Sequence, residues 1–441
     1  MIRGGTPRWS LGRRLAGGRP DARPNYESLV IRLFRGLRRW GRFKETIVEG
    51  VHDLLNPTAL PDGGATPARY RDIANVQVLA DRPMPLTRFE QAVPGEALLI
   101  GRMARLAANA VVENYCEMKS LDVAACAMRD QHAKSHGCVR AKFDVRADLP
   151  EEFTTSLFQR GASYDTFVRF SNGQGKPQSD RKLDGRGLSV KLCGVAGETF
   201  LHRLAPQRTR AGEHDFLFSS YPVFFCKDAV EYTEFMDAVS ARHDTWREKL
   251  AWLWRWIWFI LRHPRQFIAF LATGLVRIVN PLTFTYHSMS PYLFGEGKVV
   301  RYLVGPEKPA QDSVPWWSHL WRRRSPNYLR EALEHDLRPG SAGDDVVLDF
   351  SVRSRDAPTP QDVENAALWW TRPQDRIVLL GKIRIPRQGF ETPDQLFDTE
   401  RMMFSAWNCL PEHRPLGSIN RMRLAVYLAS LQARRKLNMV G

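Results

Sequence analysis

The chain has 441 residues, enough for one large core or two ordinary domains. Apolar residues make up 43% and aromatic residues 11%, which excludes a disordered polymer. The net charge of +16 favours anionic partners, yet there is no zinc-finger spacing, RNA-binding aromatic signature or basic helix leading into heptads, so no nucleic acid partner is expected.

The first residues, MIRGGTPRWSLGRRLAGGRP, lack the apolar central run of a secretory signal, so a cytoplasmic location is expected. Residues 1–60 read as a basic N-terminal arm, partly helical or flexible, with a helical period around ESLVIRLFRGLRRWGRF. EALLIGRMARLAANAVVENYCEMK then predicts a helix, with apolar residues recurring at three and four. Between 131 and 230 short alternating runs, VRAKFDV, DTFVRFS and GLSVKLC, predict antiparallel strands. Residues 249–279 are the most apolar stretch, but Arg255, Arg262, Arg265 and Arg277 interrupt it and Pro264 breaks any helix. No uncharged run approaches the roughly 20 residues needed to span a bilayer. The segment reads as a helical hairpin packed on the fold or between subunits, with a Trp/Arg-rich membrane-interface pair as the alternative. VVRYLVGP, DDVVLDFSVRS and DRIVLLGKIRIP predict further strands, and NRMRLAVYLASLQARRK a last helix. Strands and helices without regular alternation predict an α+β fold. Cys116, Cys126, Cys138, Cys193, Cys226 and Cys409 contain no C-x-x-C pair, so neither a disulfide framework nor a zinc site is expected.

On the last helix Arg423, Tyr427 and Arg434 share one face. A guanidinium beside a phenol favours the phenolate, a hard ligand suited to Fe(III). Spacing alone favours a surface helix with one buried tyrosine. In RDQHAKSHGCVRAKF, His132 and His136 lie among Arg129, Lys134 and Arg140. Their spacing allows a metal pair on a helix, but the segment looks strand-like and no third ligand is near. DTFVRFSNGQG places Arg169 in a strand ahead of Ser171 and Asn172, and a buried arginine needs an anion. DGRGLSVKL and HDFLFSSYPVFFCKDAVEYTEF complete the set of motifs.

The order HAK, VRFS, D-x-RG-x-x-VK, P-V-FF-x-x-D and R-x-x-x-Y is similar to the haem catalases, over roughly residues 125–235 and 415–435. The resemblance implies a catalase-like antiparallel β-barrel with surrounding helices, lacking the large C-terminal helical domain. Its haem domain would cover 61–441, with a Trp/Arg-rich helical insertion at about 245–280. By the same resemblance Tyr427 is the iron ligand, Arg423 its hydrogen-bonding partner, and Arg129, Arg169 and Arg434 the partners of the haem propionates. His132 is the distal acid–base and Ser171 orients it. Phe224 and Phe225 line the distal side, and Tyr232 stands where catalases usually place a phenylalanine against the haem. The implied cofactor is haem b with Fe(III). Ser219 occupies the place of the distal asparagine, and Gln131 that of an apolar neighbour of the histidine. These departures resemble the smaller catalase-related peroxidases and allene oxide synthases. The expected function is therefore a haem-dependent, peroxide-using oxidoreductase; the alternatives are a fatty-acid hydroperoxide-metabolising enzyme at a membrane surface and a non-enzymatic haem-binding protein. Expected partners are a peroxide or lipid hydroperoxide, a membrane touched peripherally through 249–279, and further copies of the chain in a homo-oligomer.

Overall fold

A computed structural model describes residues 85–120, 127–204, 209–239, 245–276, 278–307, 325–340, 344–390 and 392–440. The expected basic arm at 1–60 lies outside them. A long helix, α1 (Glu96–Ser120), leads into strands β1 (Ser135–Val145), β2 (Ser163–Asn172) and β3 (Arg186–Cys193). A short helix, α2 (Phe200–Leu204), precedes β4 (Glu213–Ser219), and α3 (Ala229–Val239), α4 (Trp246–Arg262) and α5 (Pro264–Leu275) follow. Then come β5 (Tyr286–His287), β6 (Tyr292–Phe294), β7 (Lys298–Pro306) and α6 (Tyr328–Leu337). The chain finishes with β8 (Val346–Arg355), α7 (Pro360–Glu364), β9 (Arg376–Ile385), α8 (Pro393–Arg401) and α9 (Ser418–Val440).

The strands pair antiparallel in the order β5-β4-β3-β2-β1-β9-β8-β7, and β5 pairs back onto β7, so eight strands close a barrel with β6 attached to β7. Successive strand residues point to opposite faces, and the alternating apolar set fills the interior. Phe143 and Val145 of β1, Val168 and Phe170 of β2, Leu188 and Val190 of β3, Phe216 of β4 and Phe350 of β8 all belong to that core. Closure leaves the other face of β2–β4 free to form the floor of a site.

Helix α9 is oriented by its small residues. Ala425, Ala429 and Ala433 recur every four positions and pack on Ala104, Ala108 and Val111 of α1. Their size lets the two backbones approach closely, and the opposite stripe of α9 turns to the barrel. Buried Arg421 fixes the start of α9, pairing with Glu96 at 2.6 Å, Glu90 at 2.8 Å and Glu364 at 3.0 Å.

The apolar stretch at 249–279 forms α4 and α5. Thr245 and Glu248 make a capping box that starts α4. Pro264 occupies the first turn of α5, where its missing N–H costs nothing. Trp256 and Phe259 of α4 pack against Phe235 of α3, and Phe270 of α5 completes the cluster.

Candidate functional site

Cross-strand register builds the floor. Ser171, Gly187 and Ser219 are directly opposite one another across β2, β3 and β4, and Arg169, Ser189 and Leu217 form the next row. Residues on this outer face line a cavity together with Arg129–His132, Met289, Met403 and Phe404. Its far wall is α9, which presents Arg423, Tyr427, Ser430 and Arg434. Spacings of four, three and four keep those side chains on one helical stripe. His132 and Tyr427 therefore share one cavity.

His132 lies in a bend, because β1 begins only at Ser135; the strand-like reading holds for His136 and not for His132. Its φ of 57° is left-handed, unusual for a residue with a side chain. Loop pairing holds that conformation: His132 N–H donates to Gly173 O at 3.0 Å and Ala133 N–H to Gln174 O at 3.1 Å. Asp184 anchors the opposing loop by accepting from the Gly173 and Gln174 N–H groups at 3.2 and 3.3 Å. Lys134 reaches Asp180 at 2.7 Å. Several motif residues thus serve to hold one histidine in place.

The His132 ring sits with Nδ1 3.2 Å from Ser171 Oγ. Gly187 makes room for it, since a Cβ at 187 would lie 2.5 Å from that nitrogen. Burial lowers the His132 pKa to about 4, helped by Arg169, Arg423 and Arg129 and opposed by a hydrogen bond that the ring donates to the Asn172 backbone carbonyl. The imidazole is neutral near pH 7. His136 is buried elsewhere, with Nε2 2.8 Å from Asn172 Oδ1 and Nδ1 3.8 Å from Asp180.

Tyr427 corrects one expectation. Burial raises its pKa, Arg423 opposes the rise and Asp130 adds to it. Desolvation outweighs the guanidinium, so the arginine alone does not produce a phenolate. Arg423 Nη1 donates to Asn420 Oδ1 at 3.2 Å and Ser290 Oγ at 3.3 Å, and acts on Tyr427 through its charge.

The anion demanded by the arginines is Glu400 of α8, a residue the motifs do not mark. Arg129 Nη1 bonds it at 2.8 Å, Arg169 approaches to 3.6 Å, and Arg434 Nη1 donates to its backbone carbonyl at 3.2 Å. The three guanidiniums hold the Glu400 carboxyl below its ordinary value despite burial. Burial and mutual repulsion lower Arg169 to about 10 and Arg434 to about 9. Among the described residues, Arg169 Nε and Arg434 Nε have no hydrogen-bond partner. One carboxylate leaves this cluster with excess positive charge. Asp130, also missed, faces Ser430 and Arg434, and burial raises its pKa.

Phe224, Phe225 and Tyr232 are not in the cavity lining but lie behind it, in one cluster with Met289 of the cavity wall. They stack among themselves and on Phe235 and Phe270 at the foot of the α4–α5 hairpin. Phe224 also lies under the Arg423 guanidinium at 5.6 Å. Asp228, which ends the same motif, accepts from the Val230 and Glu231 N–H groups and starts α3.

An eight-stranded antiparallel barrel with a cavity between its outer face and a C-terminal helix is the fold of catalases. The structure matches a fungal catalase with a TM-score of 0.54 at 14% identity, covering 86% of this chain and 71% of that one. It matches a bacterial catalase with a TM-score of 0.50 at 14% identity, covering 88% and 69%. Residues 110–273 match the Catalase family model. Catalase C of Rhizobium meliloti (strain 1021) is 30% identical over 115 residues, which is 26% of this chain and 14% of that relative. The fold is that of the catalases, and residues 110–273 carry the sequence likeness to that family. The family match includes His132, Ser171, Gly187 and Ser219 and ends before α9.

Proposed function

We propose that the protein is a haem-dependent, peroxide-using oxidoreductase of the catalase or peroxidase type. The observation that carries this reading is the shared cavity: a neutral histidine, positioned by a serine and a glycine, faces the same space as a buried tyrosine flanked by arginines. The residues fit haem. The two orphaned guanidinium nitrogens and the excess of positive charge suit a ring bearing two carboxylates. Leu217, Met289, Met403 and Phe404 offer apolar walls to a flat ring. Tyr427 would hold the iron and Arg129, Arg169 and Arg434 the propionates. The haem, haem b with Fe(III) in this reading, supplies the redox chemistry.

The protein's own part is proton handling. With Nδ1–H donated to Ser171 Oγ, His132 keeps the lone pair on Nε2. That nitrogen takes the proton of an incoming peroxide and returns it to the departing oxygen. Ser219, in the row beside Gly187, offers a hydroxyl to the same substrate. Arg423 favours the anionic form of Tyr427 once a cation replaces the phenolic proton. With haem bound, the cofactor would supply the two-electron chemistry, with the first peroxide as oxidant and either a second peroxide (catalase mode) or an organic donor (peroxidase mode) as reductant.

The net positive charge and the Trp- and Arg-rich α4–α5 hairpin support a fatty-acid hydroperoxide as the alternative substrate. Comparing turnover of H2O2 with that of a lipid hydroperoxide separates the two. His132→Ala tests the shared mechanism: it should retain haem and slow peroxide cleavage by about 10²–10⁴-fold. Full activity in that variant would overturn the assignment of the base. Absence of turnover in fully haem-loaded wild-type protein would favour the non-enzymatic reading.

A further inference from the structure

Helix α4 has two apolar faces, and only one of them is packed. Trp256 and Phe259 are buried against α3. On the other side Trp246, Leu250, Leu253, Trp254, Trp258 and Leu261 recur at spacings of four, three, one, four and three, which is one continuous helical stripe. Trp246 and Trp254 are each 67% exposed, Trp258 64% and Leu261 72%. Ile268 of α5 adds a seventh, so the hairpin carries seven of the ten large apolar side chains exposed among the described residues. Such a concentration marks an interaction surface and is not ordinary scatter.

The stripe does not reflect a loosely held helix. The capping box secures the start of α4, and at its end His263 Nε2 is 2.7 Å from Glu234 on α3. Arg247, Lys249, Arg255, Arg262 and Arg265 flank the stripe; Glu248 is the one acid on the hairpin itself, and Arg262 lies 4.0 Å from Glu234 of α3. Neither helix crosses a bilayer, since no helix among the described residues is long and apolar enough to do so. We propose that the α4–α5 hairpin docks on an anionic lipid surface, lying in the plane of the interface. Tryptophan favours the headgroup boundary, and Arg and Lys beside an apolar stripe add attraction to acidic lipid. Trp and Arg are also common in protein interfaces, so the test must separate lipid from a second copy of the chain. The buried side of the hairpin packs on a cluster that includes Met289 of the cavity wall, so docking holds the cavity close to lipid.

This inference is independent of the haem reading, and its test reads partition and not turnover. The full-length protein is sedimented with phosphatidylcholine vesicles, with and without phosphatidylglycerol. The protein should bind the anionic vesicles, and added salt should weaken binding. Replacing Trp246, Trp254 and Trp258 together by Ser should lower the partition coefficient by about 100-fold or more, with an unchanged melting temperature. Equal partition of that variant would assign binding to basic residues elsewhere and overturn the proposal. So would equal binding to neutral and anionic vesicles, or no binding at all. Self-association without lipid that disappears in the variant would make the stripe an interface between copies, and also overturn it.

Discussion

His132 is held by more residues than touch it. Its left-handed backbone is fixed by Gly173 and Gln174, its ring by Ser171, and its space by Gly187. Gly187→Ala puts a Cβ within 2.5 Å of Nδ1 and within 2.9 Å of Ser171 Oγ, so the ring must move. Misplacement on that scale costs about 10²-fold in rate. Gly187→Ala should therefore slow peroxide cleavage by that order while binding haem normally; wild-type turnover would show that ring placement is not critical. The motifs make His132, Ser171, Arg169 and Tyr427 legible in the sequence. They do not reveal Gly187 as a spacer, because its role depends on a cross-strand register. Nor do they locate the anion of the arginine cluster.

At the scale of elements, that anion is what docks α8. Glu400 sits among Arg129, Arg169 and Arg434 and carries their charge alone or nearly so. Glu400→Gln should lower stability to denaturant by about 3 kcal/mol, because it strands buried guanidiniums. The loss should shrink after haem loading, when two further carboxylates meet the same arginines. An equal loss with and without haem would place the propionates elsewhere. The helices were legible for physical reasons: the last helix from its Ala, Leu and Arg content, and the α4–α5 hairpin from apolar runs split at Pro264. Packing of the aromatic motif around Phe224 on α3 and α5 leaves no sequence signature distinct from packing on a ligand. The pull of Arg423 on Tyr427 was overrated for a similar reason, since sequence shows the charge and not the depth of burial.

At the scale of the whole molecule, the long strands announce themselves by alternation, but barrel closure depends on the two-residue β5 pairing with β7. No sequence period marks so short an element. Burial on this scale also sets the acid response. His132 and His413 titrate near 4, His136 and His287 near 3, and His214 well below its ordinary value, all chiefly through burial. An unfolded histidine takes its proton near pH 6.5, so between that pH and about 4 the unfolded chain binds more protons and stability falls with pH. Asp184 and Asp215, raised to about 6, act oppositely, since the fold takes up their protons first. Asp130 and Asp349 are raised as well, so five histidines stand against four aspartates. The melting temperature should drop between pH 6.5 and 4, and a flat or rising calorimetric profile there would contradict this balance. The central claim, a haem site with Tyr427 on the iron, is tested most directly by the visible spectrum of wild-type and Tyr427→Phe protein titrated with haem. One haem per chain with a ferric tyrosinate spectrum is expected in the wild type, and a shifted or absent spectrum in the folded variant. Identical spectra for the two proteins, or no haem uptake by the wild type, would contradict it.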